Sequence, residues 1–108
     1  MQSEHYRAGE SIFREGEPGE KMYVVREGEV ELSVHGKVIA RIEKGGIFGE
    51  MALIDKKPRS ATARAGIDCE LGPIDEGRFL ELVLQRPSFA LEVMKVLVER
   101  LRLMDERA

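Results

Sequence analysis

A change in the spacing of apolar residues near Ile74 divides this 108-residue chain into two parts. Before it, apolar side chains alternate with polar ones, as in Val30-Glu31-Leu32-Ser33-Val34, and such alternation is typical of a strand with one buried face. After it, apolar residues recur at steps of three and four, the period of an amphipathic helix. The two patterns predict a mainly β fold with flanking α-helices.

Short strands separated by turns are predicted for the first part of the chain. We expect strands at 11–14, 22–25, 30–34 and 38–42, with a turn at His35-Gly36-Lys37 between the last two. In Glu17-Pro18-Gly19-Glu20 we predict a further turn, where proline presets its φ and glycine accepts a positive φ. Regular strand spacing with turns between the strands indicates a β-roll or jelly-roll barrel over about residues 6–74.

Two C-terminal helices are predicted over about residues 75–106. Asp75 is a predicted N-cap, and Pro87 ends the first helix or starts the second. The apolar stripe predicted for the second helix comprises Ala90, Met94, Leu97, Val98, Leu101 and Met104, whereas Val93, Val96 and Leu103 lie off it. We expect this wide apolar sector to pack against the barrel, with a partner or dimer surface as the alternative.

The composition is that of one soluble domain over residues 1–108. Hydrophobic residues make up 43% of the chain, enough for a core. A net charge of −3, from 17 basic and 20 acidic residues, argues against a nucleic-acid or membrane surface. No apolar run approaches the ~20 residues that span a bilayer, and the N-terminus lacks a signal-peptide pattern. The single cysteine, Cys69, is expected to be buried in a strand, excludes an internal disulfide and favours a cytoplasmic location.

Residues 48–65, FGEMALIDKKPRSATARA, carry the groups best suited to bind a ligand. Gly49 and Glu50 precede a short helical patch at 51–54, and the free N–H groups at the start of a helix attract an anion. Arg59 can hold two phosphate oxygens in a fork that lysine cannot reproduce. The ionised carboxylate of Glu50 can only accept hydrogen bonds, so it favours a hydroxyl donor such as a ribose 2′-OH. These groups together predict a site for a phosphate bonded to a sugar.

Two segments in the same order resemble the cyclic nucleotide-binding domain family, which includes protein kinase A regulatory subunits, the catabolite activator protein and cyclic nucleotide-gated channels. The first is GEPGEKMYVVREG at residues 16–28. The second is apolar-Gly-Glu-x-Ala-Leu at 48–53, followed by Arg-Ser-Ala-x-Ala-x-Ala at 59–65. The resemblance covers about residues 6–104. It implies a β-roll that carries a phosphate-binding cassette with a short helix, followed by two C-terminal helices. The cassette corresponds to residues 48–65.

The resemblance also implies a function and a set of contacts. The chain is expected to be a non-catalytic receptor or sensor for cAMP, or else cGMP, with no cofactor, and to signal by movement of its C-terminal helices. Met51 and Ala52 are expected to contribute backbone N–H groups, and Ser60 is expected beside the phosphate, which is compatible with either nucleotide. The predicted ligand contacts are Gly49, Glu50, Met51, Ala52, Arg59, Ser60 and Ala61. Leu32 and Ile42 are further candidates for an apolar pocket wall, although membership of the core is the favoured interpretation for both.

Other functions are considered alongside the sensor. The main alternative is a degenerate fold that acts as a protein–protein interaction domain through its C-terminal helix, and the presence of Glu50 and Arg59 disfavours it. A cupin-like metal enzyme, or a haem or iron–sulfur sensor, is disfavoured because His5 and His35 are isolated and are expected to face solvent in or near turns. We therefore expect neither a catalytic residue nor a metal ligand.

The resemblance also raises expectations about segments beyond the barrel. No output module such as a helix-turn-helix is visible, and a leading helix looks cut short. The further C-terminal helix that covers the base in the family is expected to be absent or supplied elsewhere. We expect either a minimal stand-alone sensor or a fragment of a larger protein. Its partner would be a second copy or an effector protein bound through the C-terminal helix, with no nucleic acid and no membrane.

Overall fold

Two antiparallel sheets form the barrel, seen in a computed structural model that describes residues 2–107 and their side chains as far as Asp105. The strands are β1 (Glu4–Tyr6), β2 (Ser11–Phe13), β3 (Met22–Glu27), β4 (Val30–Val34), β5 (Lys37–Ile42), β6 (Ile47–Phe48), β7 (Thr62–Ala65) and β8 (Cys69–Ile74). One sheet has the strand order β1-β8-β3-β6 and the other β2-β7-β4-β5. The helices are α1 (Glu50–Asp55), α2 (Glu76–Gln85) and α3 (Pro87–Arg107). This confirms the predicted mainly β jelly-roll with flanking helices.

The core between the two sheets is built by the alternating side chains of the strands. Val30 and Leu32 point inward from β4 and are almost fully buried, whereas Glu31 between them forms an ion pair with Arg41 on β5. Three aromatic rings meet at the centre, with the rings of Tyr23 and Phe48 stacked at 5.2 Å. The period-two pattern of the sequence therefore reflects one buried and one solvent-facing side of each sheet.

The turns agree with the sequence in one case and differ in another. His35 (φ 51°) and Gly36 (φ 79°) are both left-handed, as a two-residue hairpin turn with the twist of its strands requires. The turn predicted at 17–20 lies earlier, at Glu15–Gly16, where Gly16 is left-handed (φ 87°) and the N–H of Glu17 donates to Arg14 O at 3.1 Å. The prediction that Gly19 adopts a positive φ is also wrong. Gly19 is required for another reason, namely the close approach of Arg59.

The helix boundaries follow from local chemistry. Asp75 is the N-cap of α2, as predicted, and its side chain accepts a hydrogen bond of 2.8 Å from the backbone N–H of Arg78. Pro87 begins α3, where its missing N–H has no intrahelical partner to lose. Cys69 is buried at the start of β8, as expected. Of the helices within residues 2–107, none is long and apolar enough to cross a membrane.

The face of α3 that packs on the barrel overlaps only partly with the stripe predicted from the sequence, because Leu97 of that stripe packs against the barrel while other members do not. Phe89 and Val93 are buried in a second apolar cluster that includes Met22 and Ile47 of the barrel. Met94, Val98 and Leu101, which belong to the predicted stripe, are each about half exposed instead. The apolar sector of α3 is wide enough that either of two faces could pack against the barrel. The contact between the rings of Phe89 and Phe79 of α2 determines which face does so.

Candidate ligand-binding site

One cleft lies where α1, the barrel wall and α3 meet, and it collects the predicted site residues. Its empty space is about 330 Å³, counting the part open to solvent. It is lined by Phe13, Leu32, Gly49, Glu50, Met51, Ala52, Arg59, Ser60, Ala61, Arg100 and Met104. Ile42 is placed differently from the other candidates, because it belongs to the barrel core, where it pairs with Val30 across β4 and β5.

The first turn of α1 forms one side of the cleft. Gly49 is the N-cap of this helix with φ 80°, a left-handed conformation that favours glycine. Gly49 has no side chain to cap α1, so the N–H groups of the first turn, apart from that of Glu50, which interacts with its own carboxyl, are open to a ligand or to water. The other end of the helix is closed by Lys56, also left-handed at φ 61°, whose N–H donates to Ala52 O at 3.0 Å. The cassette thus presents backbone donors beside Glu50.

The guanidinium of Arg59 is buried and held by backbone groups rather than by a carboxylate. Its Nη1 donates to Lys21 O at 2.9 Å and to Gly49 O at 3.2 Å, and its Cζ lies 4.0 Å from the centroid of the Phe13 ring. Only 6% of the residue is exposed, and Nε has no hydrogen-bond partner among residues 2–107. Burial lowers the pKa of Arg59, although an arginine keeps its charge. The cleft therefore contains a buried positive charge that forms no ion pair with a carboxylate among the described residues.

Backbone pairing explains how two distant segments of the sequence build this position. The N–H of Arg59 donates to Glu17 O at 2.8 Å, and Arg59 O accepts from the N–H of Gly16 at 2.8 Å. The loop of the first family-like segment is thereby fixed to the residues that precede β7, and this pairing holds the backbone of Arg59 in place.

Glu50 supplies the negative charge of the cleft. The residue is only 2% exposed, and its Oε1 has no hydrogen-bond partner within the described range. Burial raises the pKa of the Glu50 carboxyl, while its own backbone N–H and the charges of Arg100 and Arg59 act in the opposite direction. A buried carboxylate oxygen with free acceptor capacity is suited to a hydroxyl donor.

Three lining residues were not among the predicted ligand contacts: Phe13, Arg100 and Met104. Arg100 lies on α3, is 6% exposed and donates from Nη2 to Ile47 O at 2.9 Å, while its Nε has no partner in the described part of the chain. The sequence held a signal for it, because Arg100 falls seven residues after Val93 on the face that packs against the barrel. Arg100 and Met104 thus make α3, the second of the two predicted C-terminal helices, part of the cleft.

The remaining polar candidates lie elsewhere or make weak contacts. The hydroxyl of Ser60 is 3.5 Å from Met51 Sδ at the edge of the cleft. His35 lies in its predicted turn, but His5 lies in β1 rather than near a turn, and each is exposed beside a glutamate. Within residues 2–107, no three histidine, cysteine, aspartate or glutamate side chains are grouped so that they could hold a metal ion.

Comparison with known proteins relates this geometry to a family. The sequence-family model of the cyclic nucleotide-binding domain matches residues 3–86 of this chain. The chain belongs to the cyclic nucleotide-binding domain family. The domain is 35% identical over 80 residues to the cGMP-dependent protein kinase egl-4 of Caenorhabditis elegans, covering 74% of this chain and 10% of the kinase.

Two further similarities fit the same family. A cAMP-dependent protein kinase regulatory subunit from Eremothecium gossypii is 33% identical over 84 residues, which are 77% of this chain and 18% of that protein. The crystal structure of the Thermus thermophilus catabolite activator protein superimposes with a TM-score of 0.84 and 34% identity, covering 98% of this chain and 52% of that one. This cyclic nucleotide-binding domain thus spans less than a fifth of the curated relatives named here.

Proposed function

We propose that this domain is a non-catalytic receptor for a cyclic nucleotide, with cAMP preferred over cGMP. The observation that carries the proposal is the pair of buried, oppositely charged residues, Arg59 and Glu50, which line one cleft and each have an atom without a hydrogen-bond partner among the described residues. Arg59 and the first N–H groups of α1 bind the phosphate. Glu50 accepts a hydrogen bond from the ribose hydroxyl. The names of the relatives, a cGMP-dependent kinase and a cAMP-dependent regulatory subunit, support a ligand of this class.

Thermal unfolding in the presence of nucleotide tests this function directly. At a ligand concentration 100-fold above the dissociation constant, binding should add about 2.7 kcal/mol to the free energy of unfolding. For a domain of this size such a gain corresponds to a rise of roughly 10 °C or more in Tm. Adenosine, which has no phosphate, is the matched control and should leave Tm unchanged. If neither cAMP nor cGMP raises Tm, the interaction-domain alternative becomes the better account.

The same cleft provides a route from ligand to signal, because α3 forms part of its lining. A ligand shifts a conformational equilibrium only by its differential affinity for the two states. Arg100 and Met104 of α3 line the cleft, so a nucleotide in the cleft contacts them only when α3 is docked on the barrel. The nucleotide should therefore bind the state with α3 docked more tightly. We therefore infer that occupancy favours one position of α3 relative to the barrel.

Hydrogen exchange measures this effect on the helix itself. Cyclic nucleotide should slow amide exchange in the last turns of α3, around residues 97–104, as well as in the cassette, while β5 serves as an internal reference. In Arg100→Ala, protection of α3 should be lost and protection of the cassette retained. Arg102→Ala, on the exposed side of α3, is the matched control. Protection confined to residues 48–65 in the unmodified protein would argue against movement of α3.

The solvent-facing side of α3 suggests a partner. Leu91, Met94, Val98 and Leu101 are about half exposed and are spaced by three, four and three residues. This is the spacing of the apolar seam of a two-stranded coiled coil, which is self-complementary about a two-fold axis. We infer that a second copy of this chain covers the seam, rather than an effector protein.

Sedimentation equilibrium tests this association. The unmodified domain should dimerise, and the double substitution Met94→Glu/Val98→Glu should give a monomer, because it introduces like charges at the centre of the seam. Leu84→Glu, which introduces the same charge at an exposed apolar residue of α2, is the control and should remain dimeric. An unmodified domain that is monomeric at every accessible concentration would contradict a homodimer and leave the seam for a different protein.

A further inference from the structure

The loop at Gly19 approaches the Arg59 guanidinium more closely than a side chain would allow. A Cβ added at residue 19 would lie 2.1 Å from Nε of Arg59, 2.4 Å from Cζ and 2.6 Å from Nη2. Non-bonded heavy atoms normally stay about 3.5–4.0 Å apart, so any residue other than glycine would force a displacement. Gly19 does not have a positive φ, so its backbone would otherwise accept alanine.

A Cβ at residue 19 would displace atoms of the Arg59 side chain rather than atoms of the backbone. Nε, Cζ and Nη2 form the far end of a flexible side chain, and no described residue accepts a hydrogen bond from Nε that would hold it in place. The barrel backbone on both sides is fixed by the hydrogen bonds between Arg59 and residues 16–17. An added methyl group should therefore displace the guanidinium and leave the barrel folded.

Phe13 restricts the position of the Arg59 guanidinium from a second side. Its ring centroid is 4.0 Å from Cζ of Arg59, within the range of a cation–π contact, and both residues line the cleft. Phe13 is itself locked in the core by the rings of Tyr23 and Phe48, at centroid distances of 6.2 Å and 5.9 Å. The ring is thus a rigid support that cannot follow a displaced guanidinium.

We propose that Gly19 and Phe13 are positioning residues, which set the orientation in which Arg59 meets the phosphate of the ligand. The inference rests on the proposed function, because it assigns these residues a role in the same site. Gly19 keeps a space open for the guanidinium, Phe13 supports it, and the carbonyls of Lys21 and Gly49 fix Nη1.

A double-mutant cycle on cAMP affinity tests whether Gly19 acts through Arg59. In the unmodified background, Gly19→Ala should weaken binding at least tenfold. In the Arg59→Lys background, where the fork is already lost, the same change should have little further effect. Gly77→Ala is the matched control, because a Cβ there meets only Asp75 Oδ1 at 3.7 Å. A second readout is the Arg59 Nε–H signal in ¹H–¹⁵N spectra of the ligand-free protein, which should shift in Gly19→Ala and not in Gly77→Ala.

The same cycle is run with Phe13→Leu, which keeps an apolar side chain but removes the ring. We expect a loss of roughly fivefold to thirtyfold, the range for a cation–π contact away from solvent, and again little change on top of Arg59→Lys. Losses that add fully in the Arg59→Lys background, an unshifted Nε–H signal, or a Gly19→Ala variant that fails to fold would overturn the positioning role. Failure of the unmodified protein to bind cAMP or cGMP would instead overturn the proposed function, so the two failures are distinguishable.

Discussion

Replacing Arg59 by alanine is expected to weaken cyclic nucleotide binding by about 2–5 kcal/mol, the usual cost of removing one partner of a buried charge pair. The phosphate would then face Glu50 across the cleft without the cation that offsets its charge. Isothermal titration calorimetry with cAMP and with cGMP measures the loss. Since the phosphate is common to both nucleotides, both should be affected to the same extent.

The fold should be much less sensitive to this substitution than the ligand. Arg59 donates to two backbone carbonyls but forms no ion pair with a carboxylate in the described part of the chain, and its Nε is buried without a partner. Loss of the two hydrogen bonds is partly offset by removal of a buried charge, so we expect the free energy of unfolding to change by about 1 kcal/mol or less. Arg64→Ala is the control: Arg64 lies on β7 but is exposed, and affinity should be unchanged. Affinity retained in Arg59→Ala would refute the assigned phosphate contact.

Replacing Glu50 by glutamine is expected to have opposite effects on ligand affinity and on stability. Loss of the charged acceptor should weaken nucleotide binding by about 1.5–3 kcal/mol, the usual range for a hydrogen bond to a charged group. The ligand-free protein should become more stable at neutral pH, because burial raises the pKa of this carboxyl and the folded state therefore bears an ionisation cost.

The pH dependence gives the sign of that effect. With a raised pKa, the folded protein holds the Glu50 proton more tightly than the unfolded chain does. The free energy of unfolding should therefore fall as pH rises from the unfolded-state pKa through the raised folded-state value. Urea unfolding without ligand, at a series of pH values, should show this decline in the unmodified protein and less of it in Glu50→Gln. Glu43→Gln, at an exposed position, is the control. An unmodified protein whose stability does not decline across this window, or a glutamine variant that is less stable at neutral pH, would contradict the cost assigned to Glu50.

The cassette could be predicted from the sequence because its parts are local. Gly49 and Glu50 are adjacent, α1 follows at once, and Arg59 is only nine residues further along the chain. Glycine, an acid and an arginine at this spacing limit the chemistry regardless of the rest of the fold. Strand patterns were predictable for a similar reason, because the alternation of apolar and polar residues indicates which side chains face the core.

The sequence did not reveal how α3 is rotated about its axis, nor which residues from distant segments contact each other. The rotation of α3 determines that Arg100 faces the cleft and Met94 faces solvent, yet both belong to one wide apolar sector. Gly19 was assigned to a turn because glycine is common in turns, whereas its role comes from a residue forty positions later. Neither fact follows from local propensity, since each is decided by how elements pack.

The participation of α3 in the cleft also has a consequence for the order in which the nascent chain acquires its function. The cassette is synthesised about forty residues before Met104, and Arg100 reaches back across 53 residues to Ile47. A barrel emerging from the ribosome can therefore assemble its core while one wall of the cleft is still unmade. The response of α3 to the ligand should therefore be gained only after the barrel and the cassette have been synthesised, and a chain stalled before Arg100 should fold in part without that response.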